Sequence, residues 1–231
     1  HDFSGKLDLP RTEKRLKFVF DNLNEEENSL AAFNRGQRIS QRDSLREDEA
    51  TGSASIQAAL GEIFNIRFTA DAGLDFKPEP VPDIKLSAGI PWKWGKTEYR
   101  FRQRFFWESD DGFGEKTSLK ITRFFGDQFY VQSVTAGVWS ETSEGVDLGQ
   151  TLLMRHSFRE DSTLGASFGA QAHTEPDTKI DLYLVRFSLQ VPIYKNWIYL
   201  KIEPGADFDA AYDWEFSPLI FIKTEYYFGR I

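Results

Sequence analysis

The residues best suited to chemistry lie in Lys96 to Glu108, KTEYRFRQRFFWE. Read at every second position, Arg100, Arg102 and Arg104 share a face with Glu98, Phe106 and Glu108. Thr97, Tyr99, Phe101, Gln103, Phe105 and Trp107 share the other. Strand side chains alternate between faces, so the spacing predicts a strand that is cationic on one side and aromatic on the other. A row of guanidinium groups attracts anions, and in a pore lining it passes them between shallow sites. A soluble sandwich would bury the aromatics and solvate the arginines. A membrane barrel would turn the aromatics to lipid and the arginines into an enclosed lumen.

Other chemistry is thin. His156 and Ser157 are adjacent, which places them on opposite faces of a strand, so base and nucleophile would not meet; no catalytic residue is expected. Cys is absent and the three histidines never cluster, leaving no disulfide, thiolate or transition-metal chemistry. The acidic stretches ESDDGFGE (108–115) and GADFDAAYD (205–213) lack EF-hand ligand spacing and read as solvated loops. No phosphate-binding glycine loop is present, and neither cofactor nor metal is expected. A net charge of −8 argues against nucleic acid as a partner.

The elements that must hold the arginines are strands. The 231 residues read as one all-β domain, 1–231, with 40% hydrophobic residues and a mean hydropathy of −0.47. No run approaches the ~18 apolar residues of a membrane helix, but a barrel tolerates that average because only alternate residues meet lipid. Period-two patterns predict strands over 13–22, 53–60, 62–76, 83–92, 96–108, 116–124, 129–140, 146–158, 163–172, 180–193, 197–203 and 219–229. The result is an antiparallel transmembrane β-barrel of about 12 strands. Lys6 to Leu9 would make the count odd, so either it lies outside the wall or 53–60 is not a strand. KPEPVP (77–82) reads as a turn because of its prolines. Tight turns at 125–128, 159–162 and 194–196 alternate with longer loops at 108–115, 141–147, 173–179 and 204–218. That is the pattern of periplasmic turns and extracellular loops. Residues 23–52 form a long polar loop, or a segment ordered by a partner.

Aromatics gather at both ends of these strands. Trp92, Trp94, Trp197, Tyr226 and Phe228 fall near the tight turns, and Trp107, Trp139 and Trp214 near the long loops. Two such belts are interfacial girdles. The opposite faces define a lumen with Arg67, Arg100, Arg102, Arg104, Lys120, Arg155, Arg186 and Lys201 on the solute pathway. Glu98, Glu203 and Glu225 are the expected partners of the arginines.

DAGLDFKPEPVPDIKLSA, RFRQRFFWESDDGFGEKTSL and WIYLKIEPGADF resemble segments of a family of proteobacterial outer-membrane β-barrel proteins with no established activity. The resemblance spans most of 62–231. It implies the barrel fold and the bacterial outer membrane, and carries no functional residue with it. Barrel proteins usually end on an aromatic residue, whereas here Gly229-Arg230-Ile231 follows Phe228.

The expectation is a monomeric barrel in contact with outer-membrane lipid and lipopolysaccharide, forming a narrow, porin-like channel for small anionic solutes. Its alternative is a closed barrel that anchors or scaffolds another envelope component through residues 23–52. A soluble β-sandwich is the competing fold.

Overall fold

The computed structural model describes residues 4–8, 16–21, 52–76, 80–109, 112–143, 145–159, 161–194 and 197–226. Thirteen strands lie in one sheet in chain order, each antiparallel to the next. They are β1 (Ser4–Asp8), β2 (Leu16–Asp21), β3 (Gly52–Ile63), β4 (Ile66–Phe76), β5 (Pro80–Trp94), β6 (Thr97–Glu108) and β7 (Gly112–Phe125). β8 (Phe129–Ser140), β9 (Asp147–Arg159), β10 (Ser162–His173), β11 (Lys179–Tyr194), β12 (Ile198–Asp209) and β13 (Phe216–Tyr226) complete it. The only helical piece among the described residues is a 3-10 turn, Ala210–Tyr212, capped by the Asp209 carboxylate accepting from the Ala211 N–H at 2.8 Å. No helix among them is long and apolar enough to cross a membrane.

The register carries one face across the sheet. Arg104 lies opposite Ser87 on β5 and Lys116 on β7, Lys116 opposite Val138, and Val138 opposite Asp147. Of the residues buried in the sheet, nearly all occupy this charged face, among them Asp83, Ser87, Gln132, Val134, Thr151, Leu182 and Asp207. Large apolar side chains such as Ile84, Phe105, Phe168, Phe187 and Ile222 stand exposed on the other. Among the described residues there is no second layer, and the charged face of the sheet is the less exposed of the two. This reverses the arrangement of a soluble protein, where burial favours apolar groups.

Several predicted boundaries shift. The strand expected over 62–76 is broken by a turn at Phe64–Asn65, with φ of 50° and 66°, the left-handed pair of a two-residue hairpin. β3 also bulges between Ala59 and Gly61. The bulge and the turn each reverse the odd–even pattern, and together they cancel, so alternation runs through both unseen. KPEPVP is not all turn: β5 begins at Pro80 and contains Pro82, while 77–79 lie outside the described residues. The Pro82 carbonyl accepts from Ser109 N–H at 3.2 Å. Its missing N–H faces the same side, so only the reciprocal bond to the Ser109 carbonyl is forfeited, at the end of the β5–β6 ladder.

The long loops shorten likewise. β6 and β7 leave only 109–111 between them, and β12 and β13 absorb most of 204–218. Of the piece expected over Lys6 to Leu9, Lys6–Asp8 pair with β2 as part of β1, Leu9 lying outside the described residues, and 53–60 is a strand too. The sheet therefore has the odd count of thirteen. The loop expected over 23–52 lies outside the described residues except for Gly52, which opens β3. Phe228 lies outside them as well.

Candidate functional site

β6 and β7 build the basic wall. Cross-strand pairing sets Arg100 opposite Lys120, Arg102 opposite Ser118 and Arg104 opposite Lys116. On the other flank the partners are Pro91, Gly89 and Ser87, small side chains that leave the long arms room. Arg104 Nε donates to Ser87 Oγ at 3.4 Å. Like charges facing each other across a ladder are unfavourable, and here the arrangement occurs twice on one strand pair, with Arg102–Ser118 between.

Ion pairs close this wall at its rims. Lys85 reaches Asp83 at 2.9 Å and Glu108 at 3.8 Å at the end bearing the longer loops. Lys93 reaches Glu98 at 3.1 Å at the tight-turn end. Between them Arg100 and Lys120 have no carboxylate partner among the described residues. Both line a cavity of about 350 Å³ together with Asn65, Pro91, Trp92, Lys93, Glu98, Tyr99 and Thr122. It offers three cations against one carboxylate, with an amide and two hydroxyls, a net-positive, donor-rich set that fits a small anion.

The wall formed by β11, β12 and β13 is built differently. The Arg186 guanidinium pairs with the Asp207 carboxylate and donates to the carbonyls of Val185 and Ala206 at 3.0 and 2.9 Å. Gly205 lies opposite Arg186, and a Cβ there would strike the arginine side chain and the Val185 carbonyl. Glycine is what lets the guanidinium lie flat. Lys201 pairs with Glu203 at 3.0 Å and Lys223 with Glu225 at 3.5 Å. Leu182 and Leu184 fill this side of the charged face, at 2% and 6% exposure.

Register places Arg67, Arg100, Arg102, Arg104, Lys120, Arg155, Arg186, Lys201, Glu98, Glu203 and Glu225 on the one charged face. Glu98, Glu203 and Glu225, the expected partners of the arginines, meet lysines. Lys201 and Lys223 lie two residues away on the same face and Lys93 is the cross-strand partner of Glu98. Arg67 pairs instead with Glu62 at 3.2 Å, and the buried Arg155 Nε meets no acceptor. Asp207 escaped the sequence reading because Pro204 marked a loop there. Its signal was the alternation Glu203, Gly205, Asp207, Asp209, which continues β12 past the proline.

Of the aromatics, Trp92, Trp94 and Trp197 lie at the tight-turn end, with Trp92 stacked on Tyr99 at 5.0 Å and Trp197 edge-on to Tyr194 at 5.4 Å. Trp107 and Trp139 lie at the other end, as does Trp214, which packs on Tyr183 at 5.3 Å. Tyr226 closes β13 opposite Ile198. His156 and Ser157 are consecutive residues of β9 and project to opposite faces.

No family model and no curated protein matches the chain, so the resemblance noted above gains no family assignment. Among solved structures it is similar to a KdgM porin in complex with disordered oligogalacturonate, at 12% identity and TM-score 0.46, over 78% of this chain and 94% of that one. It is similar also to a NanC porin, at 10% identity and TM-score 0.49, over 77% and 93%. A third likeness is to the outer-membrane expressed OmpT of Vibrio cholerae, at 11% identity and TM-score 0.49, over 98% and 80%. TM-scores below 0.5 carry no weight for function, and the reading below rests on the chain's own geometry.

Proposed function

We propose that the sheet closes into an outer-membrane β-barrel that forms a narrow channel for small anionic solutes. The observation that carries this reading is the inversion of the two faces: the charged face is the enclosed one and the apolar face is exposed. In water that arrangement would cost twice, by exposing hydrocarbon and by desolvating charge. In a bilayer the apolar face is satisfied by lipid and the charged face by a hydrated lumen. Trp92, Trp94, Trp197 and Tyr226 at one end, and Trp107, Trp139 and Trp214 at the other, suit the two interfaces.

Closure joins β13 to β2. Thirteen strands in strict antiparallel succession run β1 and β13 in the same direction, so their union would be a parallel pair. β2 runs opposite to β13 and offers the antiparallel partner of a twelve-strand wall, provided β1 leaves that edge. Anions enter along β6 and β7, where Arg100 and Lys120 stand without carboxylates and Arg102, Arg104 and Lys116 continue the row.

A closed barrel acting as an anchor is the second reading, favoured by the local ion pairs and buried leucines of β11–β13, since small barrels fill with side chains. Single-channel recording of the refolded protein in a planar bilayer under a salt gradient separates the two. Anion-selective steps are expected, unchanged on removing residues 1–8. Silence from folded, inserted protein would refute the channel, and a collapsed conductance in the shortened chain would refute closure at β2.

A further inference from the structure

The apolar face is interrupted by a hydrogen-bonded polar patch. On β6 and β7, Thr117 Oγ1 donates to Gln103 Oε1 at 2.5 Å and Gln103 Nε2 to Glu115 Oε2 at 3.4 Å. On β8 and β9, Thr135 Oγ1 donates to Gln150 Oε1, and Gln150 Nε2 to Ser133 Oγ at 2.8 Å. All six share the face of Phe105 and Leu152 by register. Gln103, Thr117, Thr135 and Gln150 are exposed or half-buried rather than covered by neighbours. Thr135 lies midway along β8, between Phe129 and Trp139 at its two ends, which is hydrocarbon depth if the strand spans a bilayer. Polar groups there are expensive against lipid and mark contacts.

We propose that this face of β6–β9 docks a second copy of the chain across a two-fold axis. The inference rests on the apolar face meeting lipid, and it replaces the monomer expected from sequence. Amide and hydroxyl groups both donate and accept, so the patch is complementary to itself, as a two-fold interface requires. Ser133, Thr135 and Gly137 form a run of small outward residues on β8 that lets two walls approach closely. An anionic lipid headgroup is the poorer occupant, because the charged member of the patch is Glu115 and no lysine or arginine lies among its six residues.

The chain has no cysteine, so Thr135→Cys gives a single reactive site at the patch centre, and Ile220→Cys a control on the same face of β13. Both variants are treated with a short bis-maleimide in native outer membranes. Thr135→Cys should shift from the 26.6 kDa chain to a band of twice that mass, Ile220→Cys should not, and adding Gln150→Leu should remove the shift. Chain that is membrane-inserted yet uncrosslinked at position 135, or an adduct of any other mass, overturns the dimer and leaves the barrel reading standing. A chain absent from the outer membrane overturns that reading and the dimer with it.

Discussion

β6–β7 and β11–β13 carry comparable numbers of cations on the same enclosed face and use them in opposite ways. On β11–β13 the cations of this face have local carboxylates: Arg186 with Asp207, Lys201 with Glu203, Lys223 with Glu225. On β6–β7 Glu108 and Glu98 meet lysines of β5 near the strand ends, Asp71 of β4 acts electrostatically on Arg102 and Arg104, and Arg100 faces Lys120. A wall that pairs its charges gains stability and offers a solute little. Arg100 against Lys120, cation facing cation, is held in a worse ground state, which a bound anion would relieve. The difference teaches that the number of charges on a face says less than where their counter-charges sit.

Breaking the paired wall should produce the largest effect. The side chains of Arg186 and Asp207 are only 18% and 9% exposed, and deleting one member of a buried pair strands the other. Asp207→Ala should therefore cost about 3 kcal/mol, the low end for a buried ion pair, read from denaturant unfolding of the folded, detergent-solubilised protein. Losing less than about 1 kcal/mol would show the pair to be solvated, as surface bridges are, and would erase the contrast between the walls.

The basic wall should respond in selectivity rather than stability. Arg100→Glu combined with Lys120→Glu should reverse the sign of the zero-current potential under a salt gradient. Lys201→Glu, in a region of paired charge, should leave the sign unchanged. Equal shifts from both substitutions would mean that the lumen averages its charge and has no preferred wall.

Smaller still is the expected effect of Lys223→Gln. Its side chain is 55% exposed beside Glu225, so the pair should contribute about 0–1 kcal/mol in the same unfolding assay. A cost approaching that of Asp207→Ala would place Lys223 in a drier environment than its exposure indicates, and would extend the paired wall to β13.

Most strands were legible because period-two alternation is a local property of the chain. The Arg100–Arg104 row and its aromatic reverse face needed nothing beyond the rule that neighbours point apart. Strand ends were less legible, since Pro82 and Pro204 each stand within a strand, where composition alone reads a turn. The turn at Phe64–Asn65 was hidden because a bulge and a two-residue loop cancel in parity, and the patch on β6–β9 because Gln103 and Thr135 become neighbours of Glu115 and Gln150 only through register.

The amino-acid sequence by itself determined an all-β chain with one charged and one aromatic face per strand, because side-chain direction follows from chain position alone. Only the tertiary structure decided which face is enclosed and which cation meets which carboxylate. Pairing arises from register between strands, which brings Asp207 to Arg186, twenty-one positions apart in the chain, and leaves Arg100 facing Lys120.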